Sequence, residues 1–270
     1  MPLTLFAHQV PTMGLKMARP RWFDGTALCL GSMAPDLGYA VSAYLHVDTH
    51  DWDGMPLVLG LAAGLTLLAR WVAAGTVPAH LPDMGRFRLH SWRVTHRRAP
   101  AWWITAASVI VGVGTHIVLD WFTHPGRPGP RWFGYDDVTV TLFGHTEPLA
   151  GVFQLLGHSL GSMAGVWLLW EIGRRRLLEQ WHGEGAVAIA RAARPTTRGR
   201  VVFWVVVAAG FGAGLAWGLP GDRLELIERP LLCTGLAAVV ASALPACRPA
   251  AYAEVSRRPR RSPHRWKPGP

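Results

Sequence analysis

Hydrophobic positions in this chain gather into long runs. Six stretches are apolar over about the 20 residues that a helix needs to cross a bilayer: 27–45, 55–74, 104–122, 151–170, 201–219 and 230–247. They predict about six transmembrane helices in an all-α, polytopic helical membrane protein. Basic positions lie between the runs and are unevenly shared. Lys16, Arg19 and Arg21 precede the first run; Arg86, Arg88, Arg93, Arg97 and Arg98 lie in 75–103; seven arginines lie in 171–200, and seven more Lys and Arg follow the last run. By contrast 46–54 has none, 123–150 has Arg127 and Arg131, and 220–229 has Arg223 and Arg229. Lys and Arg near span ends are held on the cytoplasmic side. The alternation therefore predicts cytoplasmic termini, with 46–54, 123–150 and 220–229 outside. The first run is interrupted near its middle by an acid, Asp36, directly after Pro35. Proline removes a backbone donor and disturbs a helix, so a broken first span is expected.

Composition supports the membrane class. Half of the residues are apolar and 16% are charged, against about a quarter charged in soluble domains. The excess of 27 Lys+Arg over 17 Asp+Glu falls in connecting segments, as in membrane-protein loops, and does not point to nucleic acid. Trp102, Trp103 and Trp121 stand at the ends of the third run, where amphipathic rings suit the interface. Cys29, Cys233 and Cys247 are too scattered for a disulfide framework or zinc knuckle. Prolines at 2, 11 and 20 argue against a cleavable signal peptide. Glycines such as Gly112, Gly161, Gly165, Gly210 and Gly214 predict close helix packing. One helical membrane domain is expected over 1–247. The basic, Pro-rich tail 248–270 is expected to be disordered and drawn to anionic lipid.

The chemistry concentrates in three places. His116, Asp120 and His124 recur at steps of four and share a helix face. An imidazole and a carboxylate one turn apart suit a metal ion, or a hydrogen-bonded pair without one. His124 precedes Pro125-Gly126, where the helix should end. Asp36 is too costly to leave unpaired at membrane depth and needs His116 or a cation as partner. His50, in Thr49-His50-Asp51, lies in an outer segment at the same end as Asp120. Gln154, His158 and Ser162 share a face of the fourth span, with interhelical hydrogen bonding the expected role. The histidines at 80, 90, 96, 145, 182 and 264 are expected to be solvated. His8 sits on the cytoplasmic side by charge and could join the cluster only if residues 1–24 fold back into the bundle.

These motifs resemble an uncharacterised bacterial membrane-protein family, domain of unknown function 4184. The opening Pro2-Leu3-Thr4-Leu5-Phe6-Ala7-His8-Gln9, Gly31-Ser32-Met33-Ala34-Pro35-Asp36, His50 with Gly54, and Thr115-His116 through Asp120 to Thr123-His124-Pro125-Gly126 carry the likeness, with Gln154, Ser159 and Gly161 after them. It covers about 1–170. Ala7, Gln9 and Asp51 depart from the family pattern. The order of motifs is also similar to that of predicted membrane-bound metal-dependent hydrolases and, distantly, zinc-dependent phospholipase C. That resemblance implies a bacterial inner-membrane protein with a metal site of His8, Asp36, His50, His116 and Asp120. It also implies a divalent ion, zinc by default, and hydrolysis of a lipid-like phosphoester at the bilayer. The residues alone leave two other readings: a non-catalytic scaffold or ion- or proton-coupled carrier with a buried His-Asp relay, and a haem held by His116 and His158.

Overall fold

The computed structural model describes residues 4–142, 144–221 and 225–249. Two short helices, α1 (Thr4–Ala7) and α2 (Gln9–Ala18), lead into α3 (Gly25–Leu45). Then come α4 (Met55–Trp71), α5 (Val77–His80), α6 (Trp102–Thr123) and α7 (Pro128–Trp132). An antiparallel hairpin of β1 (Thr139–Leu142) and β2 (His145–Pro148), with Thr139 opposite Pro148, precedes α8 (Leu149–Arg174). The chain continues through α9 (Leu177–His182), α10 (Glu184–Ala192), α11 (Thr197–Gly218) and α12 (Glu225–Ala243). The predicted tail lies outside the described residues beyond Pro249.

Among the described residues five helical stretches are long and apolar enough to cross a membrane: Trp52–Gly75, Trp102–Thr123, Leu149–Arg174, Thr197–Gly218 and Glu225–Ala243. They coincide with the second to sixth predicted spans, and the fold is that of a polytopic helical membrane protein. Their outer sides expose Ile110, Val118, Leu160, Met163, Val201 and Val205, a surface suited to lipid.

The first predicted span is a helix too, but it is not broken. α3 runs through Pro35 over 21 residues, and it is the central helix, packed against α2, α4, α6 and α12. The segment after α3 folds back onto it at this point, where Thr49 Oγ1 donates to the Pro35 carbonyl at 2.9 Å. A helix sheltered in this way can carry Thr26, Ser32 and Asp36, which lipid would penalise. Its crossing with α6 depends on two glycines. A Cβ on Gly112 would lie 2.3 Å from the Leu28 carbonyl oxygen, and one on Gly31 would lie 2.6 Å from that of Val109.

The N-terminal segment does fold back. Ala7 and the Phe6 carbonyl oxygen occupy the space where Cβ atoms on Gly161 and Gly165 of α8 would stand, at 2.8 and 2.7 Å. The charge rule misplaced His8 because α1 and α2 together reach only part of the way through the bundle. They begin beside α8 and return to the basic end with Lys16.

That basic end is a packed cap and not a set of solvated loops. His80 and His90 are buried, contrary to expectation. His80 stacks on Phe203 at 4.3 Å, and His90 bonds the Leu81 carbonyl at 2.9 Å. Val94, Ile172, Leu178 and Val187 form a core at this end that no periodicity in 75–103 announces. His264 lies outside the described residues. Arg70, inside an apolar run, is buried against Asp24. Asp24 also accepts from Thr105 at 2.8 Å and caps α3 through the Thr26 and Ala27 amides. Asp24 thus joins the starts of α3 and α6 to the end of α4.

Candidate metal centre

Four buried side chains from three elements converge between α3 and α6. His116 and Asp120 lie one turn apart on α6, and Asp36 enters from the middle of α3. His50 is presented by the turn that follows α3. That turn is tightly specified: the His50 amide donates to Asp48 Oδ1 at 2.8 Å, and a Cβ on Gly54 would lie 2.0 Å from the Asp48 carbonyl oxygen.

The facing atoms are evenly spaced. His50 Nε2 lies 3.1 Å from His116 Nε2 and 3.3 Å from Asp120 Oδ2, which lies 3.2 Å from His116 Nε2. Asp36 Oδ1 is 3.7 Å from His50 Nε2 and 3.5 Å from His116 Nε2. Tetrahedral ligand atoms on a metal with bonds of about 2.0–2.2 Å lie about 3.3–3.6 Å apart. The five distances, from 3.1 to 3.7 Å, lie close to that range. His8 adds a further donor, its ring stacked on His116 at 4.0 Å and its Nε2 3.6 Å from Asp120 Oδ1. The sets His8, Asp36, His116 and His50, His116, Asp120 each bring their ligand atoms within 4.8 Å of one another and could hold a metal ion.

Hydrogen bonds orient the rings. His116 Nδ1 faces the Ser32 carbonyl at 2.7 Å, an acceptor, so Nδ1 carries the proton and Nε2 presents its lone pair to the cluster. Thr49 Oγ1, donating to Pro35, can accept from His50 Nδ1 at 3.2 Å, which gives His50 the same tautomer. Two lone pairs 3.1 Å apart repel unless a cation lies between them. Burial disfavours a charged imidazole at His50, yet Asp120 and Asp36 outweigh it and raise its pKa to about 9. At His8, burial and then His116 lower the pKa to about 4 against the pull of Asp120 and Asp36. Asp36 Oδ2, Asp120 Oδ1 and His8 Nδ1 are buried with no hydrogen-bond partner. Buried polar atoms are normally satisfied, and three orphans around one cluster fit a place for a cation.

A cavity of about 310 Å³ opens on these donors and is lined also by Tyr39, His124, Gln154, His158 and Glu228. All five predicted ligand residues therefore meet at one place. Asp51 does not: it is exposed and pairs with Arg127 at 3.3 Å. His124 Nδ1 lies 3.6 Å from Asp120 Oδ1, and its Nε2 is 2.6 Å from Gln154 Nε2. His158 approaches His8 edge-on at 5.9 Å, placing it in the cavity wall. Glu228 went unrecognised in the sequence. It lies in the short segment that the structure adds to the start of α12, and it is buried with Oε2 unpartnered. The outward placement of 220–229 was the one signal pointing to it.

A family model described as Domain of unknown function (DUF4184) matches residues 1–244, running past the 1–170 that carry recognisable motifs. No curated protein and no solved structure matches the chain.

Proposed function

Because the chain belongs to a family defined by a domain of unknown function (DUF4184), its activity has to be read from the site, and we propose a membrane-embedded metal-dependent hydrolase acting on a lipid-like phosphoester. The carrying observation is the convergence of His50 Nε2, His116 Nε2, Asp120 Oδ2 and Asp36 Oδ1, with His8 beside them. Two imidazoles and two carboxylates favour zinc among divalent ions. When bound, the ion supplies Lewis acidity toward a phosphoryl oxygen and a water that is easier to deprotonate.

The protein's own groups then divide the work. His50, His116 and Asp120 would hold the ion, with Asp36 and His8 beside them, which would leave a coordination position for water. Ser32 and Thr49 fix the two imidazole tautomers, and outer partners of this kind matter to affinity. Glu228, an unpaired carboxylate on the cavity wall, accepts a proton from the attacking water. Gln154 and His158 on α8 bind substrate oxygens. The small cavity takes a head group while the tails remain in lipid.

The test is metal content and turnover of the full chain purified in detergent. Elemental analysis should find stoichiometric metal in the wild type. A fluorogenic phospholipid should be hydrolysed, with activity lost on chelation and restored by zinc. A folded protein that carries no metal and takes none up would instead support the buried His-Asp relay of a carrier or scaffold.

A further inference from the structure

A second cavity, of about 640 Å³, opens at the basic end between α2, the turn into α3, the segment 92–100 and α9, and it shares no lining residue with the metal centre. Four cationic side chains line it: Lys16, Arg21, Arg97 and Arg98. Its one carboxylate, Asp24, is already engaged. Oδ2 takes Arg70 and Thr105, and Oδ1 takes the Thr26 and Ala27 amides. Among the described residues no salt bridge joins any of the four cations to an acid.

Two of these side chains are tied to the cavity wall. Lys16 Nζ donates to the Pro20 and Phe23 carbonyls at 2.7 and 2.8 Å and sits 5.1 Å from the Trp181 ring centroid. An ammonium has three N–H donors, so one remains for a ligand. Arg98 donates to the His182 carbonyl at 3.2 Å, leaving most of its fork free. Arg97 adopts a left-handed backbone, φ 55, and its amide donates to the Arg70 carbonyl at 3.3 Å. A residue held in that region costs conformational energy and is often found at ligand clamps. The surplus of positive charge acts on its neighbours: burial, then Arg98 and Lys16, lower the pKa of His182 to about 4.

We propose that this cavity binds a phosphate-bearing anion, with Arg97 and Arg98 as forked donors and Lys16 as the half-buried point charge. Arginine forks match phosphate oxygens in pairs, and basic pockets between membrane helices collect anionic head groups. Phe23, Trp92 and Trp181 supply the apolar wall against which a glycerol or acyl segment would lie. The proposal stands apart from the metal centre and does not need hydrolysis to be correct.

The source of the phosphate is either a lipid of the surrounding leaflet or a soluble phosphate monoester. The full chain in neutral detergent, followed by native mass spectrometry, separates the two. Phosphatidylglycerol should be retained where phosphatidylcholine is not. R97Q/R98Q, with an unchanged melting temperature, should weaken retention by about tenfold or more, the scale of one lost charged hydrogen bond. Displacement of the lipid by millimolar glycerol phosphate would identify a soluble ligand, and failure to displace it would identify the lipid; both outcomes support the site. Equal retention of the two lipids, or undiminished retention in folded R97Q/R98Q, would overturn it. Should the double variant fail to fold, the wild type still decides. Retention must fall between low and high salt, since screening weakens exposed charges, and salt-independent retention refutes the proposal.

Discussion

Replacing Asp120 by Asn tests the metal centre most directly, because its two oxygens face four imidazoles: His50 and His116 from Oδ2 at 3.3 and 3.2 Å, His8 and His124 from Oδ1 at 3.6 Å each. Asn keeps the shape and removes the charge. The size of the effect follows from His50, whose pKa rises from its ordinary 6.5 to about 9. At about 1.36 kcal/mol per pH unit, Asp36 and Asp120 together favour one positive charge at this point by about 3 kcal/mol, net of burial. A divalent ion feels each carboxylate more strongly than a proton does, so loss of the Asp120 charge should weaken binding by roughly 100-fold or more. Competition against a fluorescent chelator, on wild type and Asp120→Asn of matched melting behaviour, measures it. Binding by the variant within about threefold of wild type, a difference under ~1 kcal/mol, would refute the assignment of Asp120 as a ligand. His124→Ala should cost less, about tenfold, as for a partner that orients a ligand. His182→Ala should leave metal affinity unchanged.

The raised pKa of His50 also sets a pH dependence. Below about 9 the metal-free site holds a proton there that a metal must displace, so apparent metal affinity should rise about tenfold per pH unit between 6 and 8 with release of at least one proton; calorimetry in buffers of different ionisation enthalpy measures both. In the metal-free protein the sign is opposite. Stability from a charged His50 is present below 6.5 and is lost as pH rises toward 9, visible as a falling melting temperature after chelation. Gly112→Val would drive a side chain into the Leu28 carbonyl oxygen, 2.3 Å from the Cβ position, and should lower stability by about 1–3 kcal/mol or more, read by thermal unfolding. Glu228→Gln should leave metal content intact and reduce turnover by about 10²–10⁴; unchanged turnover would remove Glu228 from the chemistry. A cysteine replacing exposed Asp137, in a chain lacking Cys29, Cys233 and Cys247, should react with an impermeant reagent from outside intact cells, and labelling only after permeabilisation would invert the topology.

The long apolar runs made the spans readable, because transfer into lipid leaves few other ways to place 20 such residues. The His-x-x-x-Asp spacing was equally legible, since helix geometry alone puts His116 and Asp120 on one face. α3 was harder. Pro35 and Asp36 argue against a continuous span in lipid, and its central position among α2, α4, α6 and α12 makes it tolerable. His8 could not be placed from charge, because the segment's docking partners, Gly161 and Gly165, lie on a helix far along the chain. Burial of His80 and His90 depends on contacts with α8 to α11 that leave no trace in local pattern. Glu228 carries no spacing of its own and becomes recognisable only once α12 packs against α3.

The docking of α1 against α8 also orders biogenesis. Residues 4–18 leave the ribosome first, yet the surface that receives them belongs to residues 149–174. His8 therefore waits, unhoused, while α3, α4 and α6 insert, and the five-residue cluster closes only when the later helix arrives. A nascent chain halted before α8 has Asp36, His50, His116 and Asp120 in hand but an open flank where His8 belongs. Completion of the cluster thus coincides with the arrival of α8, the third of the five long apolar helical stretches.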